Sequence, residues 1–332
     1  MAKDRNPIRT FEYTGPIGKH LEAFISEKRA VGFKYTAEAF RLREIDRLCI
    51  VLNTPPDSLP HNLVLEWGLK RSHESHRTWQ SRQVVMRQLT DYFINHGLDT
   101  HLTIIEPLYK DYDFVPYIFS DDEIARIFSA ADALQSYTWS PQRQEVLSLL
   151  FRILYSCGLR LGEALSLKLK DVNLENGVFT VIDGKNRTDR YIPMSPELTQ
   201  RCRAFSAKIH QEHTQDSVFL PAPDGGFYSK GSMQYAWSQL LRAANIPRTD
   251  SGHRIHDLRH TFSVSCLKNW VRNGKDLNAM LPVLSAYLGH KRLSATEHYL
   301  RLTADMYPEV VSVFEANFGG VIPKGDYLHE ED

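Results

Sequence analysis

His256-Asp257-Leu258-Arg259-His260-Thr261-Phe262 carries more information than any other segment of this chain. In a helix, His256 and Arg259 are three apart and project from one face. A histidine beside an arginine suits an anion with tetrahedral oxygens, because guanidinium offers a planar fork of donors. His256 and His260 are four apart, a spacing that also occurs at metal sites. Zinc needs three or four ligands, usually with an acidic base nearby. No His-Glu-x-x-His is present, and the intervening Arg259 would repel a cation. No metal is therefore expected, and His260 reads as a core histidine or one supporting the site.

Further signals lie on both sides. Leu288-Gly289-His290 reads as a helix end with a glycine stop, with His290 either a cap or a phosphate donor. Tyr299 follows in a run of helix formers, where most tyrosines are core or surface. Upstream, Gly158-Leu159-Arg160-Leu161-Gly162-Glu163 follows an apolar helix. Gly158 can end that helix, and Arg160 then stands where the next begins, at amides that favour an anion. Glu163 lies one turn on, so Arg160–Glu163 also reads as an ordinary i, i+3 ion pair. Lys185 sits in Asp183-Gly184-Lys185-Asn186, a β-turn with Arg187 and Arg190 close by. Most charged turns are merely solvated, but a lysine on a hairpin can reach a leaving oxygen and protonate it. Two arginines, a lysine and two histidines suit a phosphodiester in transition, and a tyrosine beside them suits a covalent nucleophile.

In this order and spacing, Arg160, Lys185, His256, Arg259, His290 and Tyr299 resemble the tyrosine recombinase, or phage integrase, family over the whole second half of the chain. Glu163, Leu258-Arg259-His260-Thr261-Phe262, Leu288-Gly289-His290 and Thr296 match its flanking residues. The resemblance implies a clamp around double-stranded DNA, closing a helical core-binding domain and a catalytic domain on opposite sides. Arg160 and Arg259 would bind the non-bridging oxygens of the scissile phosphate. Tyr299 would attack phosphorus to give a 3′-phosphotyrosine. His256 would take the phenol proton, Lys185 would protonate the departing 5′ oxygen, and His290 would hydrogen-bond the phosphate. Glu163 and His260 would support these groups. Inverted-repeat sites, a homo-tetramer on synapsed DNA and a monomer when free are implied as well. No cofactor is expected: the bond energy is conserved in the covalent link, and no Gly-x-x-x-x-Gly-Lys-Ser/Thr is present.

The predicted fold is mainly α with a small β-sheet, in two domains. Residues 1–15 read as a flexible lead. Residues 16–104 read as all-helical, with helices at Ile17–Arg29, Thr36–Leu52, Asn62–Lys70 and His76–Asn95. Pro55-Pro56 and Gly97 supply stops. Arg41, Arg43, Arg47, Arg77, Arg82 and Arg87 on these helices, with Arg187 of the turn, are the candidate DNA contacts, about half of the helical ones being ordinary solvated arginines. Residues 105–118 read as a linker, and 119–305 as a mixed α/β catalytic domain. That domain opens on Ser120-Asp121-Asp122-Glu123, a capping box. It includes a buried helix at Val146–Tyr155 and a hairpin of Val178–Ile182 and Tyr191–Pro193, with a possible strand at Val218–Leu220. Residues 306–332 carry an apolar stripe at Val310, Val313 and Phe314. The resemblance implies that this tail docks on a neighbouring copy, with docking on its own domain as the alternative. The short lead leaves no room for an arm-binding domain, so simple Xer-like or transposon-type members are the better match.

Composition bounds the rest. The 332 residues carry a formal net charge of +0, with 42% hydrophobic and 24% charged residues. That balance argues against indiscriminate electrostatic binding to nucleic acid and leaves room for a local basic surface. Four scattered cysteines and no apolar leader point to a reducing, cytoplasmic setting without membrane insertion. Three alternatives stay open: a type IB topoisomerase with the same chemistry, a DNA-binding accessory protein without catalysis, and a metal hydrolase using His256 and His260.

Overall fold

The computed structural model describes residues 11–101, 115–182, 189–211, 214–249, 252–290 and 292–306. They form two compact units that divide between residues 114 and 115.

The first unit holds four helices, α1 (Gly18–Ala30), α2 (Thr36–Val51), α3 (His61–Gly68) and α4 (His76–Asn95). The apolar stripe of α1, Leu21, Phe24 and Ile25, is buried as its spacing predicts. It meets Leu42 and Ile45 of α2, Leu63 and Trp67 of α3, and Met86, Leu89 and Phe93 of α4. Ser75 caps α4 by accepting from the Thr78 amide, and Gly97 turns the chain beyond its end at φ 67°. The all-helical expectation needs one correction. β1 (Ser58–Leu59) and β2 (Asp99–Thr100) form a short parallel pair that ties the segment before α3 to the segment after α4. Two-residue strands are too short to show a period of two, which is why they are invisible to sequence patterning.

The second unit opens with α5 (Asp121–Asp132), whose predicted capping box is present in full: Ser120 and Glu123 each accept from the other's amide. α6 (Arg143–Cys157) runs through the core, with Val146, Leu150, Phe151, Ile153 and Leu154 buried. Then come α7 (Leu161–Ser166) and an antiparallel sheet of β3 (Val172–Asn173), β4 (Val178–Val181) and β5 (Arg190–Pro193). The register pairs Phe179 with Ile192 and Val181 with Arg190. Val218, expected in a strand, makes only an isolated bridge to Lys168. Five more helices follow: α8 (Pro196–Ile209), α9 (Lys230–Ala243), α10 (Asp257–Arg272), α11 (Leu277–Leu288) and α12 (Ser294–Met306). A separate apolar cluster joins the last three, with Val264 and Leu267 from α10, Leu281, Leu284 and Leu288 from α11, and Tyr299 and Leu300 from α12. Among the described residues no helix is long and apolar enough to cross a membrane.

Candidate active site

The site is assembled where α6 stops. Gly158 takes up the left-handed conformation at φ 58°, and a Cβ there would run into the Phe262 ring of α10. Only glycine meets both demands at once. The turn delivers Arg160 as N-cap of α7. Glu163 accepts from the Arg160 amide at 2.9 Å and from its Nη1 at 2.8 Å. The ion pair read from the sequence is therefore present, and it has a third member. Arg190, entering from β5, donates its Nη2 to the other Glu163 oxygen at 2.7 Å. Glu163 is only 8% exposed. Burial pushes its carboxyl pKa up, but hydrogen bonds from Arg190 and the Arg160 amide more than reverse this, and it stays below the ordinary value.

The end of α11 organises the cations. Arg190 Nε donates to the Tyr287 carbonyl at 2.9 Å, Arg259 Nη2 to that of Leu288 at 2.6 Å, and Arg160 Nη2 to that of Gly289 at 3.4 Å. Three successive carbonyls at a helix C-terminus thus receive three guanidinium groups. Carbonyls at a helix C-terminus lack the i+4 amides that serve those of its interior, and the negative end of the helix dipole offsets repulsion among the cations. Gly289 ends the helix at φ 66°, and a Cβ there would stand 3.1 Å from Arg190 Nη1.

Arg259 lies on α10 and is 1% exposed. Its Nη1 donates to the Gly158 carbonyl at 2.7 Å. Its Nη2 also lies 3.1 Å from His290 Nε2, while His290 Nδ1 is 2.8 Å from Thr296 Oγ1. Guanidinium can only donate, so His290 Nε2 accepts, and a neutral ring carries its proton on Nδ1. The ring is held neutral: burial and then the Arg259 and Arg160 charges lower its pKa to about 4. Arg259 itself is lowered to about 10, first by burial and then by Arg160.

Tyr299, on α12, is 3% exposed, with its hydroxyl 3.0 Å from His260 Nδ1. Burial raises its pKa, against the Arg259 charge and hydrogen bonding from Ser263 and Arg259. His260 is driven down to about 3, by burial first and then by the His256 and Arg254 charges. The His256 and His260 rings meet edge to face at 4.8 Å. Two layers result. Arg259, Glu163 and Tyr299 are buried, whereas His256 is exposed and Arg160 and His290 are half-buried. Such a rim can receive an anionic group over a preset inner layer of charge.

Residues 118–306 match the family model described as the phage integrase family. The chain belongs to that family. It is 29% identical over 308 residues to a putative integrase/recombinase, y4rB, of Sinorhizobium fredii, covering 89% of this chain and 96% of that one. It is 27% identical over 259 residues to the tyrosine recombinase XerA of Thermococcus kodakarensis, covering 73% and 81%. Among solved structures it resembles the XerH site-specific recombinase in a post-cleavage complex with its palindromic difH substrate, at TM-score 0.61 and 17% identity over 85% and 79% of the two chains. It also resembles the Tn1549 transposon integrase in complex with circular intermediate DNA, at TM-score 0.59 and 19% identity over 84% and 94%. These two likenesses place this phage integrase family chain in the same fold.

Of the residues expected at the site, Arg160, Glu163, His256, Arg259, His260, His290 and Tyr299 come together. Lys185 and Arg187 lie outside the described residues, as does the tail from residue 307. Two contacts bear on the expected roles. The Tyr299 hydroxyl lies 3.0 Å from His260 Nδ1, a neighbour to which the sequence reading gave only a supporting place. His290 has no proton free on Nε2 while Arg259 donates to that atom, so it is not a phosphate donor in this state. Among the described residues no group of three His, Cys, Asp or Glu is placed to hold an ion.

The arginines of the first unit separate clearly. Arg47, Arg77 and Arg87 are exposed. Arg41 donates to the Ser81 carbonyl at 3.2 Å, and Arg43 stacks on Phe11 at 5.1 Å, both half-buried. Arg82 is the correction. It is 3% exposed, paired with Glu74 at 2.6 Å, and donates to the carbonyls of Trp67 and Leu69. It holds α3 to α4 and cannot reach DNA. Arg190 is the residue that sequence reasoning passed over as turn charge. Its signal was available: it stands two residues before Ile192 on β5 and shares that residue's inward face.

Proposed function

We propose that this chain cuts and rejoins duplex DNA at specific sites, with Tyr299 as the nucleophile. The observation that supports this reading best is the Tyr299 hydroxyl held against His260, beside the buried, carbonyl-locked Arg259. Tyr299 Oη forms a bond to phosphorus, the phosphorus–O5′ bond breaks, and the phenol proton passes to His260. The 5′ oxygen takes a proton from Lys185, a role that rests on the sequence alone. Arg160 and His256, at the rim, bind the non-bridging oxygens, and Arg259 adds charge from beneath. Fixed donors of this kind stabilise the extra charge of a pentacovalent phosphorus without reorganising during the reaction. His260 at about 3 is a weak base in the resting protein. An incoming phosphate anion raises that pKa by adding negative charge beside the ring. The second strand cut and the exchange need further copies, so a homo-tetramer on paired inverted-repeat sites is the proposed assembly.

The test is covalent capture. A pool of nicked duplexes of randomised sequence is incubated with the protein, and the captured sequences are read. Wild type is expected to give a 3′-phosphotyrosyl adduct on selected sequences, unaffected by EDTA. Tyr299→Phe should bind the selected duplex within about threefold and give no adduct, since only the reacting oxygen is removed. Adduct from the Phe variant would place the nucleophile elsewhere, and binding without adduct in wild type would favour an accessory protein. Relaxation of supercoils without strand exchange would favour a topoisomerase.

A further inference from the structure

Glu163 poses a problem for the phosphate site. It lies against Arg160, the guanidinium that the described cluster presents at its half-buried rim, with 2.8 Å between Nη1 and Oε1. A carboxylate so close cancels much of the positive field with which Arg160 would meet a phosphate. A pair closed on itself is neutral from outside. Glu163 is nevertheless needed, because it accepts the Arg160 amide and aims the side chain from the start of α7.

Resting on the recombinase reading, we propose that Arg190 is a positioning residue that neutralises Glu163 and so frees the charge of Arg160 for the scissile phosphate. The geometry fits that task. Arg190 takes Oε2 at 2.7 Å while Arg160 takes Oε1, so the two cations do not compete for one oxygen. Its Nε is anchored on the Tyr287 carbonyl. Its side chain is 9% exposed, so it is poorly placed to hold substrate itself. Two cations and one anion leave the group with one net positive charge. Without Arg190 the remaining Arg160–Glu163 pair has none. Gly289 belongs to the same device, because a side chain there would press on the Arg190 guanidinium. Arg190 opens β5, five residues beyond Lys185 in the sequence.

The experiment uses the full-length protein and the nicked duplex selected by wild type. Single-turnover formation of the Tyr299 adduct is measured alongside binding and thermal melting. Arg190→Gln should bind DNA within about threefold of wild type and cleave about 10–100-fold slower, a smaller effect than removing a donor that touches the reacting group. The deciding variant is E163Q/R190Q. Removing the carboxylate together with its neutraliser restores one net positive charge on Arg160, and cleavage should recover at least about tenfold over Arg190→Gln. A purely structural tether makes the opposite forecast, since removing both partners is then no better than removing one. Arg190→Lys keeps the charge without the fork and should cleave within about tenfold of wild type. It keeps the question decidable if Arg190→Gln does not fold. A double variant as slow as Arg190→Gln, or Arg190→Lys slowed more than about a hundredfold, would overturn the proposal. No adduct from wild type would instead overturn the recombinase reading, so the two failures are distinguishable.

Discussion

At the scale of single residues, the site keeps two histidines neutral inside a cluster of arginines. Burial comes first among the causes, and the arginine charges add to it, lowering His260 to about 3 and His290 to about 4. An unfolded chain has no such constraint, and its histidines take up protons below about pH 6.5. The folded state therefore binds fewer protons than the unfolded state between about 6.5 and about 4, and stability falls as the pH drops through that window. Above it the contribution is fully present. Glu163, Glu74 and Asp132 are lowered carboxyls, and their contributions fade only at more acid pH. Melting should therefore drop between about pH 7 and about pH 5, before the carboxylates titrate. His290→Asn should reduce that drop, because Asn offers similar hydrogen bonds and does not titrate. A melting temperature flat across this range, or an equal drop in the variant, would mean that the rings are not held neutral. Sequence reading found nearly all of these residues, because their types and order are chemical. It did not single out His260 as a ring beside the Tyr299 hydroxyl, because that contact depends on where α12 packs against α10.

At the scale of elements, three helix ends build the site: the C-terminus of α6, the N-terminus of α7 and the C-terminus of α11. Their stops were legible as Gly158 and Gly289, because glycine punctuates helices for a backbone reason. The partners of those stops were not legible. Nothing local says that the Gly158 carbonyl will take Arg259, 101 residues away. Likewise the Tyr287 carbonyl takes Arg190 from 97 residues away. The two-residue strands, the bridge at Val218 and the inward turn of Arg82 escaped for the same reason: each is settled by tertiary packing. Gly158→Ala places a Cβ at positive φ and against the Phe262 ring, and should cost about 1–3 kcal/mol or more as α10 shifts away. Gly289→Ala meets positive φ and a movable guanidinium at 3.1 Å. It should cost less stability, about 1 kcal/mol, while slowing cleavage through Arg190. Gly162→Ala, with nothing within 4 Å and an ordinary helical position in α7, is the control and should be neutral or slightly stabilising. Urea melts and adduct assays on the three variants check the order. Equal destabilisation at Gly158 and Gly162 would count against this account of the turn.

At the scale of the whole molecule, a formal net charge of +0 has to be reconciled with a polyanionic substrate. Binding cannot come from bulk attraction, so it must come from a small number of local cations set against phosphates. In the first unit the candidate arginines that remain open to solvent are Arg47, Arg77 and Arg87. Arg82 is excluded by burial, although its sequence context differs little from theirs. The two groups should respond to substitution in different assays. Removing one cation that neutralises a phosphate should reduce the slope of log K against log salt by about one, and weaken binding similarly for all sequences. Arg77→Ala and Arg87→Ala are expected to do this with no change in melting. Arg82→Met should leave the salt slope alone in protein that remains folded. It strands Glu74 as a buried carboxylate without its main partner, which typically costs about 3–5 kcal/mol. Binding isotherms at several salt concentrations, paired with urea melts, separate the two effects. A reduced slope for Arg82→Met would mean that the first unit opens on DNA to expose that arginine. An unchanged slope for both Arg77→Ala and Arg87→Ala would move the phosphate-binding surface off α4, leaving the neutral chain to bind through Arg160 at the rim and through exposed cations elsewhere.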